Sequence, residues 1–444
     1  MKSYIQIKNK ILKFDKVIKV SGDKSISIRC VLLASQAIGK SKIYNLLESE
    51  DVINTLKSIK KLWINYKKIK NYYEISGFGL SGFNTKNKII LDAGNSGTFA
   101  RLVLGLLVDS ENEITITGDK SLSRRDFSRV TSPLKIFGAI LKSKENQLPV
   151  KIRGSKFLRP IEYFEKLGSA QCKSSVILAA LKTPGITKIK AKKSRNHTEL
   201  LLKSLKLPIQ TSSSKYYDYI KIKGQNNFGS FNYSVPGDIS SCSFFLVLTL
   251  LSRNSKLTIK NININKCRIG ILKILNKMNA NILSKNKKIY KGETISNLIV
   301  KSKNNLKSIN CPKNLNSSAI DEFLIIFLAA AKAKGISTFR NLDELNKKES
   351  PRLDIGIKFL KMIGVKVIRI KNDIKIYGNP NLKLSGHYVM KNFRKDHRVF
   401  MMSCIAALTL GGKWKIYDKD SINSSFPKFV KILKKLGAKI NWEK

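Results

Sequence analysis

Apolar segments of two kinds alternate along the chain and recur in six successive repeats. One kind is apolar at nearly every position, as in SVILAALK from residue 175 and VFMMSCIAALTLGG from residue 399. A segment that is apolar on every face predicts a helix that is buried on most sides. The other kind has apolar residues three and four apart, as in LKILNKM from residue 272 and VKILKKLG from residue 430. That spacing predicts a surface helix with one buried face.

A short segment rich in β-branched residues lies between the two helices of each repeat and predicts a strand. These segments recur every seventy to eighty residues: KIYN at 42–45, ITIT at 114–117, TKIK at 187–190, LTIK at 257–260, STFR at 337–340 and WKIY at 414–417. Strands that alternate with helices predict the α/β class. Repeats this large and this few do not suit an open solenoid, so we predict two globular domains of three repeats each.

The domain boundary is predicted where the third repeat ends, in the segment SVPGDISS at 234–241. A Pro-Gly pair joins a stiff residue to a permissive one and suits a hinge. The first repeat opens on a similar segment, VSGDKS at 20–25, so residues before about 21 are expected to pair with the C-terminal half. The predicted domains are 1–21 plus 238–444 and 22–237, with the active site in the cleft between them.

The composition is strongly basic, with 84 Lys and Arg against 30 Asp and Glu and a formal net charge of +54. Such a charge favours a nucleic-acid partner. However, the lysines are spread along the chain rather than gathered in one stripe, and Lys, Asn and Ile are the residues that AT-rich codons encode. Biased composition is therefore the favoured interpretation. No apolar run reaches ~18 residues, the length that predicts a membrane span.

The N-terminal segment MKSYIQIKNKILKF lacks the apolar core of a signal peptide, so we expect a cytoplasmic protein. The six cysteines form no CxxC pair, and three histidines are too few for a zinc set. Cys172, Cys242 and Cys404 lie in or beside apolar runs, which indicates buried structural thiols.

The loops ahead of the buried helices carry the candidate chemistry. In SGDKSISIR at 21–29, serines lie near a predicted helix N-terminus, where free N–H groups favour anions, and Lys24 and Arg29 add positive charge. DAGNSGTFAR at 92–101 repeats the arrangement, with Arg101 about one turn inside. Each loop alone is equally consistent with a capped helix and solvated charges.

Comparable loops follow in the later repeats: GDKSLSRRDF at 118–127, SAQCKS at 169–174, KSRNHTE at 193–199, Asp321-Glu322, KKESPR at 347–352 and KDHR at 395–398. PGDISS is poor in charge and predicts structure only. Equivalent loops of similar repeats should converge on one cleft lined by Arg and Lys, which suits phosphates and carboxylates. Asp321 and Glu349 are then the acid–base candidates. His197 could be a base or a polar hydrogen-bonding group.

These segments, taken in order from about residue 20 to 430, resemble the signature set of the 5-enolpyruvylshikimate-3-phosphate synthases. The resemblance implies the enolpyruvyl transferase fold, an inside-out α/β barrel type with two domains of three βαβαββ units. It implies transfer of the enolpyruvyl group of phosphoenolpyruvate to the 5-hydroxyl of shikimate 3-phosphate, with release of phosphate, in aromatic amino-acid biosynthesis. It implies no cofactor and no metal. The two substrates are the expected partners, with no membrane, no specific nucleic acid and a monomeric state.

The resemblance also implies a role for each matching residue. The catalytic residues would be Asp321, which accepts the 5-hydroxyl proton, Glu349, which protonates the methylene carbon, and Lys24. Shikimate 3-phosphate would be held by Lys24, Ser25, Arg29, Ser169, Ala170, Gln171, Ser194, Asp321 and Lys348. Phosphoenolpyruvate would be held by Lys24, Asn95, Gly97, Arg125, Gln171, Arg352 and Arg398.

The chain departs from the family pattern at three positions, which leaves a synthase of reduced activity as one possibility. Asp126 stands where the family usually has proline, Pro351 where it has aspartate, and Ser424 where it has lysine. Lys428 follows four residues later, beside a helix start expected at about Phe426 or Pro427, and either supplies the missing charge or is one more solvated lysine.

Two other functions remain as alternatives. The sister enolpyruvyl transferase that acts on UDP-N-acetylglucosamine typically has a reactive cysteine in its second repeat, whereas no cysteine lies between residues 31 and 171 here. A basic RNA-binding or RNA-processing protein on similar repeats should have aromatic residues interleaved with its basic ones. The aromatic residues of this chain mostly fall inside apolar segments.

Overall fold

The computed structural model describes residues 4–303 and 305–443, and these residues divide into two compact parts. We call the part made of Gly22–Val235 and Tyr290–Glu293 the middle domain. The split domain takes in the described residues up to Ser21, then Pro236–Ile289, then the described residues from Thr294 onward. Each domain is described below on its own terms.

The elements are numbered in chain order. The α-helices α1 to α14 are Lys24–Ala34, Glu50–Lys61, Gly97–Leu106, Lys120–Ser123, Ser128–Phe137, Ala170–Lys182, His197–Ser204, Ile239–Leu251, Gly270–Lys277, Asn316–Ala319, Phe323–Ala331, Arg352–Met362, His397–Leu410 and Phe429–Lys435. The strands β1 to β23 are Tyr4–Ile7, Asp15–Ile18, Ile38–Tyr44, Tyr66–Ile69, Tyr72–Phe78, Ile89–Asp92, Ile114–Thr117, Ile140–Ser143, Val150–Arg153, Glu162–Glu165, Ile186–Lys192, Ile209–Ser213, Tyr217–Lys223, Asn232–Ser234, Lys256–Asn263, Asn281–Tyr290, Glu293–Lys301, Gly335–Phe339, Val367–Ile370, Asp373–Gly378, Leu384–Met390, Gly411–Tyr417 and Asn441–Glu443. Short 3-10 helices span Lys313–Leu315, Asp343–Lys347 and Lys419–Ser424.

Each repeat of the middle domain forms a small mixed sheet with one strand order. In the sheet β10-β11-β13-β12, β10 runs parallel to β11, and β13 runs antiparallel to both β11 and β12. The sheets β6-β7-β9-β8 and β14-β3-β5-β4 have the same pattern. In the sheets β10-β11-β13-β12 and β6-β7-β9-β8 a helix joins the parallel neighbours, as parallel pairing requires, and in all three sheets the last two strands of the order form an antiparallel hairpin.

The split domain contains the corresponding sheets β16-β17-β15-β2, β18-β20-β19 and β21-β22-β1-β23. The N-terminal strands belong to this domain: β2 runs parallel to β15, and β1 lies antiparallel between β22 and β23, with Ile5 opposite Ile416. Beside β18, a parallel bridge between Asn310 and Thr338 takes the place that an edge strand has elsewhere. The chain thus enters the split domain twice to complete its sheets.

Two small segments lie on the other side of the predicted boundary. Pro236 and Gly237 cluster with the split domain, where Gly237 N donates to the Asn261 carbonyl oxygen at 2.8 Å and Gly237 forms a β-bridge with Ile262. The turn Tyr290–Glu293 between β16 and β17 clusters with the middle domain. The contacts of a few residues decide these assignments, and a sequence pattern does not reveal such contacts.

The helices predicted to be buried form the centre of each domain. In the middle domain α1, α3 and α6 pack on one another, and in the split domain α8, α11 and α13 do so, with their apolar side chains almost wholly buried. Full burial of one such Leu, Ile or Phe side chain contributes about 1.5–3 kcal/mol. The other long helices bury one face only, as their spacing predicts. These packed helices form the rigid base for the loops at their N-termini.

Helix ends were the least accurate part of the prediction. The apolar spacing of LKIFGAIL from residue 134 predicts a continuous helix, but α5 ends at Phe137 because Gly138 has a left-handed φ of 115°, and β8 begins at Ile140. Similarly, α14 begins at Phe429, after the position expected from Pro427. In the described part of the chain no single helix is long and apolar enough to cross a membrane.

Candidate active site

The three central helices of the middle domain begin with a capping side chain. Asp23, Ser96 and Ser169 precede α1, α3 and α6, and their side-chain oxygens accept hydrogen bonds from Ile26 N, Phe99 N and Cys172 N at 3.0 to 3.2 Å. Capping satisfies one backbone N–H of each first turn. The remaining N–H groups and the helix dipole favour an anion at these ends.

Arg29, one turn into α1, joins the beginnings of α6 and α7. Its Nε donates to Thr198 Oγ1 at 2.7 Å, and its Nη2 donates to Ser174 Oγ at 3.0 Å. Its Nη1 returns to the Ser25 carbonyl oxygen at 2.9 Å. All three partners are neutral, so the side chain is fixed without neutralising its charge. Burial lowers the pKa of Arg29 to about 10, which leaves the guanidinium charged at neutral pH.

Arg101, one turn into α3, is held in a similar way. Its Nη1 donates to Gln171 Oε1 at 3.1 Å and to the Gly97 carbonyl oxygen at 3.2 Å, and its guanidinium lies 4.6 Å from the centre of the Phe127 ring. Gln171 Nε2 donates to Thr98 Oγ1 at 2.9 Å, which connects α6 to α3. Burial lowers the pKa of Arg101 to about 10, so this side chain also remains a cation at neutral pH.

Arg125 adds a third guanidinium beside the start of α3. Its Nη2 donates to Asn95 Oδ1 at 3.0 Å, and Asn95 in turn donates to Asp119 Oδ2 at 2.6 Å. Among the described residues, nothing accepts a hydrogen bond from the buried Arg125 Nε. A Cβ at Gly97 would lie 2.7 Å from Arg101 Nη1 and 3.2 Å from Arg125 Nη1. Glycine at position 97 therefore allows the two guanidinium groups to approach the helix end.

The remaining predicted residues of the middle domain lie at the same helix ends. Lys24 is the first residue of α1, is mostly buried and pairs with Asp51 at 2.8 Å. Ala170 is the first residue of α6, and Ser25 is half-buried. Ser194 lies just before α7, and its buried Oγ has no hydrogen-bond partner within residues 4–303 and 305–443. We call Lys24, Arg29, Arg101, Arg125 and Gln171 the cationic cluster.

Two polar residues near this cluster have structural partners. His197 Nδ1 lies 2.6 Å from Glu293 Oε1, and both side chains are almost completely buried, which favours the hydrogen-bonding interpretation of His197. The Asp126 carboxylate accepts hydrogen bonds from Ser128 N at 2.7 Å and Ser128 Oγ at 2.8 Å. Asp126 thus stabilises the first turn of α5, and these two hydrogen bonds occupy its carboxylate.

In the split domain the predicted acid–base residues meet around one buried arginine. Arg352, the first residue of α12, donates to Asp396 Oδ2 at 2.9 Å, to Asp321 Oδ1 at 3.4 Å and to Glu349. Burial alone would lower the pKa of Arg352, but Asp396, Glu349 and Asp321 outweigh it and raise that pKa above its ordinary value. Burial also tends to raise the pKa of Asp396, yet the Arg352 charge holds it below its usual range.

Arg398, in the first turn of α13, is the second cation of this group. Its Nη1 donates to the Asp321 carbonyl oxygen at 2.8 Å, and its Nη2 lies 3.9 Å from Asp321 Oδ2. Asp321 therefore lies between two guanidinium groups and keeps some exposure to solvent. Lys348 is half-buried beside Glu349. We call Asp321, Glu349, Arg352, Asp396 and Arg398 the carboxylate cluster.

The positions that depart from the family pattern have ordinary local roles. Pro351 precedes α12 with φ −72°, and its carbonyl oxygen accepts from Ile355 N at 3.0 Å. Ser424 Oγ donates to the Ser421 carbonyl oxygen at 2.8 Å and lies 3.5 Å from His397 Nδ1. Lys428 is exposed, immediately before α14.

Cysteine chemistry and metal chemistry find little support in the described residues. All six thiols there are free, and burial raises the pKa of Cys172, Cys242 and Cys404. A raised pKa keeps a thiol protonated and poorly nucleophilic. The same residues include no group of three or more His, Cys, Asp or Glu side chains arranged to hold a metal ion.

Comparison with known proteins decides the family. The family model described as EPSP synthase (3-phosphoshikimate 1-carboxyvinyltransferase) matches residues 8–433. The chain belongs to the EPSP synthase family. It is 37% identical over 429 residues to the 3-phosphoshikimate 1-carboxyvinyltransferase of Vesicomyosocius okutanii, covering 96% of each chain. It is 38% identical over 423 residues to that of Caldicellulosiruptor saccharolyticus, covering 94% of this chain and 95% of the relative.

Solved structures agree with this assignment. The EPSP synthase from Acinetobacter baumannii superposes with a TM-score of 0.88 at 30% identity and covers 100% of both chains. The enolpyruvyl transferase NikO from Streptomyces tendae has a TM-score of 0.76 at 13% identity, covering 100% of this chain and 99% of that one, and shows the fold alone. The predicted α/β enolpyruvyl transferase fold is thereby confirmed.

Sequence reasoning missed one member of each cluster, Arg101 and Asp396, and three polar residues beside the cationic cluster. Thr98, Ser174 and Thr198 are ordinary polar residues whose partners lie far away in the chain. Arg101 was visible as a charge one turn inside a capped helix, and Asp396 as the acid before His397-Arg398, but neither was selected. A search for charged residues one turn inside each predicted helix would have found Arg101, and a search for acids immediately before each helix would have found Asp396.

Proposed function

We infer that the protein transfers the enolpyruvyl group of phosphoenolpyruvate to the 5-hydroxyl of shikimate 3-phosphate and releases phosphate, as a 3-phosphoshikimate 1-carboxyvinyltransferase of aromatic amino-acid biosynthesis. Family membership over nearly the whole chain supports this function. The observation that carries it chemically is the pairing of Asp321 and Glu349 on one buried guanidinium. An addition–elimination reaction needs such a pair of proton-transfer groups.

The two clusters are proposed to have different roles in the reaction. The cationic cluster holds the phosphates and carboxylates of the substrates, with Lys24, Arg29 and Ser194 on shikimate 3-phosphate and Arg125 and Gly97 on phosphoenolpyruvate. Ser25, Ser169, Ala170 and Gln171 complete these contacts. Arg29, Arg101 and Arg125 have neutral hydrogen-bond partners and keep their charge available for an anionic ligand, whereas Lys24 is paired with Asp51. That both clusters act on the same pair of substrates is part of the proposal.

The chemistry then proceeds in two steps. Glu349, with Lys348 beside it, gives a proton to the methylene carbon of phosphoenolpyruvate, while the 5-hydroxyl oxygen bonds to the adjacent carbon and Asp321 accepts the hydroxyl proton. The resulting intermediate loses a proton from the methyl carbon and expels phosphate, which restores the double bond. Arg352 and Arg398 stabilise the carboxylate of the transferred group, and Lys24 and Arg125 the departing phosphate.

A phosphate-release assay tests the function directly. The purified protein is incubated with phosphoenolpyruvate and shikimate 3-phosphate, and phosphate is measured with a coupled enzyme. We expect turnover only when both substrates are present. Turnover with UDP-N-acetylglucosamine in place of shikimate 3-phosphate would instead support the sister activity. No phosphate release with either acceptor would contradict the proposed function.

Localisation and oligomeric state are proposed in the same sense. We expect a cytoplasmic monomer, because all of the assigned site residues come from one chain. Light scattering coupled to size-exclusion chromatography should give a mass near 50.0 kDa for the free protein. A dimer mass would contradict this part of the proposal.

A further inference from the structure

A chain of buried polar residues lies behind the carboxylate cluster of the split domain. It consists of Asp238, Ser240, Arg268 and Glu322, whose exposed fractions are 8%, 3%, 2% and 1%. Buried charged residues are rare in proteins unless they are paired. The proton-transfer and substrate roles assigned above use none of these four residues, so their burial calls for another explanation.

The chain of contacts begins where the polypeptide enters the split domain. Asp238 follows Gly237 directly and caps α8, with its Oδ1 accepting from Ser240 N at 2.7 Å. Arg268 Nη2 donates to Asp238 Oδ1 at 3.2 Å and to Ser240 Oγ at 2.8 Å. Ser240 Oγ then donates to Glu322 Oε1. One guanidinium and one hydroxyl thus connect the cap of α8 to the carboxylate of Glu322.

This series of buried contacts ends at the predicted substrate-binding and proton-transfer residues. Glu322 Oε1 lies 3.8 Å from Arg398 Nη1, the same nitrogen that donates to the Asp321 carbonyl oxygen at 2.8 Å. Glu322 also follows Asp321 directly, and its own carbonyl oxygen accepts from Ile326 N at 3.0 Å in the first turn of α11. A displacement of Glu322 would therefore move both the Arg398 guanidinium and the backbone of Asp321.

The charges in this region explain why all of these buried polar contacts must be present. Arg398 is flanked by Asp321 on one side and Glu322 on the other, and Nε of Arg398 is buried without a hydrogen-bond partner within the described ranges. Long arginine side chains have many rotamers, and a carboxylate at a fixed place selects one of them. Ser240, which itself accepts a hydrogen bond from Arg268, helps to fix Glu322 by donating to its Oε1.

We propose that Glu322 and Arg268 are positioning residues that set the orientation of Arg398 toward the carboxylate of phosphoenolpyruvate. The proposal rests on the proposed function, and it adds two residues for which the sequence predicted no role and a segment, PGDISS, that was predicted to be structural only. Neither residue is a catalytic residue, since both act through Arg398 and Asp321.

The test compares variants that remove the charge but keep the shape. Glu322→Gln retains an acceptor for Ser240 Oγ, and we expect it to raise KM for phosphoenolpyruvate by about tenfold, because the carboxylate charge 3.8 Å from Arg398 Nη1 is lost. KM for shikimate 3-phosphate should stay within about twofold of the parent value, because Glu322→Gln keeps the size of the side chain and the backbone hydrogen bond from Ile326 N, and so leaves Asp321 in place. Arg268→Met should show the same selectivity with a smaller effect, and Arg268→Lys should recover part of it.

Two controls separate positioning from loss of stability. Ser403→Ala removes a buried hydroxyl of α13 that donates within its own helix, to the Val399 carbonyl oxygen, and should lower Tm without changing either KM. Asp15→Asn breaks an exposed ion pair with Lys256 in the same domain and should change neither quantity. Equal rises of both KM values in Glu322→Gln, or a change in Tm alone, would overturn the proposal.

A binding measurement keeps this test independent of the reaction. Calorimetric titration with phosphoenolpyruvate should show a weaker Kd for Glu322→Gln than for the parent and for Ser403→Ala. If the parent binds phosphoenolpyruvate but releases no phosphate with shikimate 3-phosphate, the proposed function fails while the positioning role stands. If Glu322→Gln binds phosphoenolpyruvate as tightly as the parent does, the positioning role fails whatever the reaction is.

Discussion

Different chemical groups hold the site arginines of the middle domain and those of the split domain. Arg29 and Arg101 bond to hydroxyls, an amide and backbone carbonyl oxygens. Arg352 and Arg398 lie against the carboxylates of Asp321, Glu349, Glu322 and Asp396. The same residue type thus occurs in two electrostatic settings within one chain.

The difference matters because a charge that is already balanced by one partner attracts a second partner less strongly. A guanidinium whose hydrogen-bond partners are neutral still attracts a substrate phosphate. Its burial, however, costs free energy of desolvation. A guanidinium that rests on carboxylates has its charge largely balanced by them, and it holds those carboxylates in place. We therefore propose that the cationic cluster is the main anion-binding part and that the carboxylate cluster transfers protons, while its arginines also orient the carboxylate of phosphoenolpyruvate.

The largest expected effect is on stability. Arg352→Gln should lower the free energy of unfolding by about 3–5 kcal/mol, because it leaves buried carboxylates without their shared cation. Arg125→Gln should lower it by less than about 1 kcal/mol, since the loss is one hydrogen bond to Asn95. Urea unfolding followed by circular dichroism at pH 7 measures both. Similar losses for the two variants would remove the distinction between the clusters.

The pH dependence sharpens the same comparison. The pKa of Asp396 is depressed in the folded protein, so its ion pair stabilises the fold above the unfolded value of about 3.9 and is lost as pH falls through the folded value. The difference in unfolding free energy between the parent and Asp396→Asn should be constant from about pH 7 to pH 5 and shrink below about pH 4. A difference that grew at low pH would contradict the assigned ion pair.

The next largest effect concerns proton transfer. Asp321→Ala should lower kcat by at least ~100-fold, a typical contribution of a general base, with substrate binding retained in part. Asp343→Ala removes an exposed carboxylate of the same domain, which is paired with Lys347 at the surface, and serves as the control. A normal kcat in Asp321→Ala would exclude Asp321 from the mechanism.

A smaller effect is expected from crowding the cationic cluster. Gly97→Ala places a methyl group 2.7 Å from Arg101 Nη1, and the flexible guanidinium groups must shift to make room. KM for phosphoenolpyruvate should rise several-fold, with kcat changed less. Gly229→Ala is the matched control, because a Cβ there meets nothing within 4 Å. Equal behaviour of the two variants would mean that position 97 does not shape the anion site.

The smallest effect is expected at Lys428. Its side chain is exposed before α14, so Lys428→Ala should leave KM for phosphoenolpyruvate within about twofold of the parent, as Lys431→Ala does. A several-fold rise in Lys428→Ala alone, recovered by adding Ser424→Lys, would instead show that Lys428 replaces the lysine that the family has at position 424.

Much of the local structure could be predicted because its causes are local. The strand predicted at ITIT coincides with β7, since alternation over a few residues determines which face is buried. The helix predicted through LKIFGAIL extended too far because one glycine conformation outweighed the apolar spacing. Motifs at the helix starts predicted the site residues, since capping residues and charges lie close together in sequence there.

The sequence alone determined the α/β class, the six repeats, the buried and surface helices and the residues that carry the family resemblance. Periodicity and short motifs act over a few residues and can be read without coordinates. Only the tertiary structure decided which group holds each arginine, because Arg29 meets Thr198 across 169 positions and Arg352 meets Asp396 across 44. Whether a charge is free for a substrate or balanced by a carboxylate depends on those distant contacts.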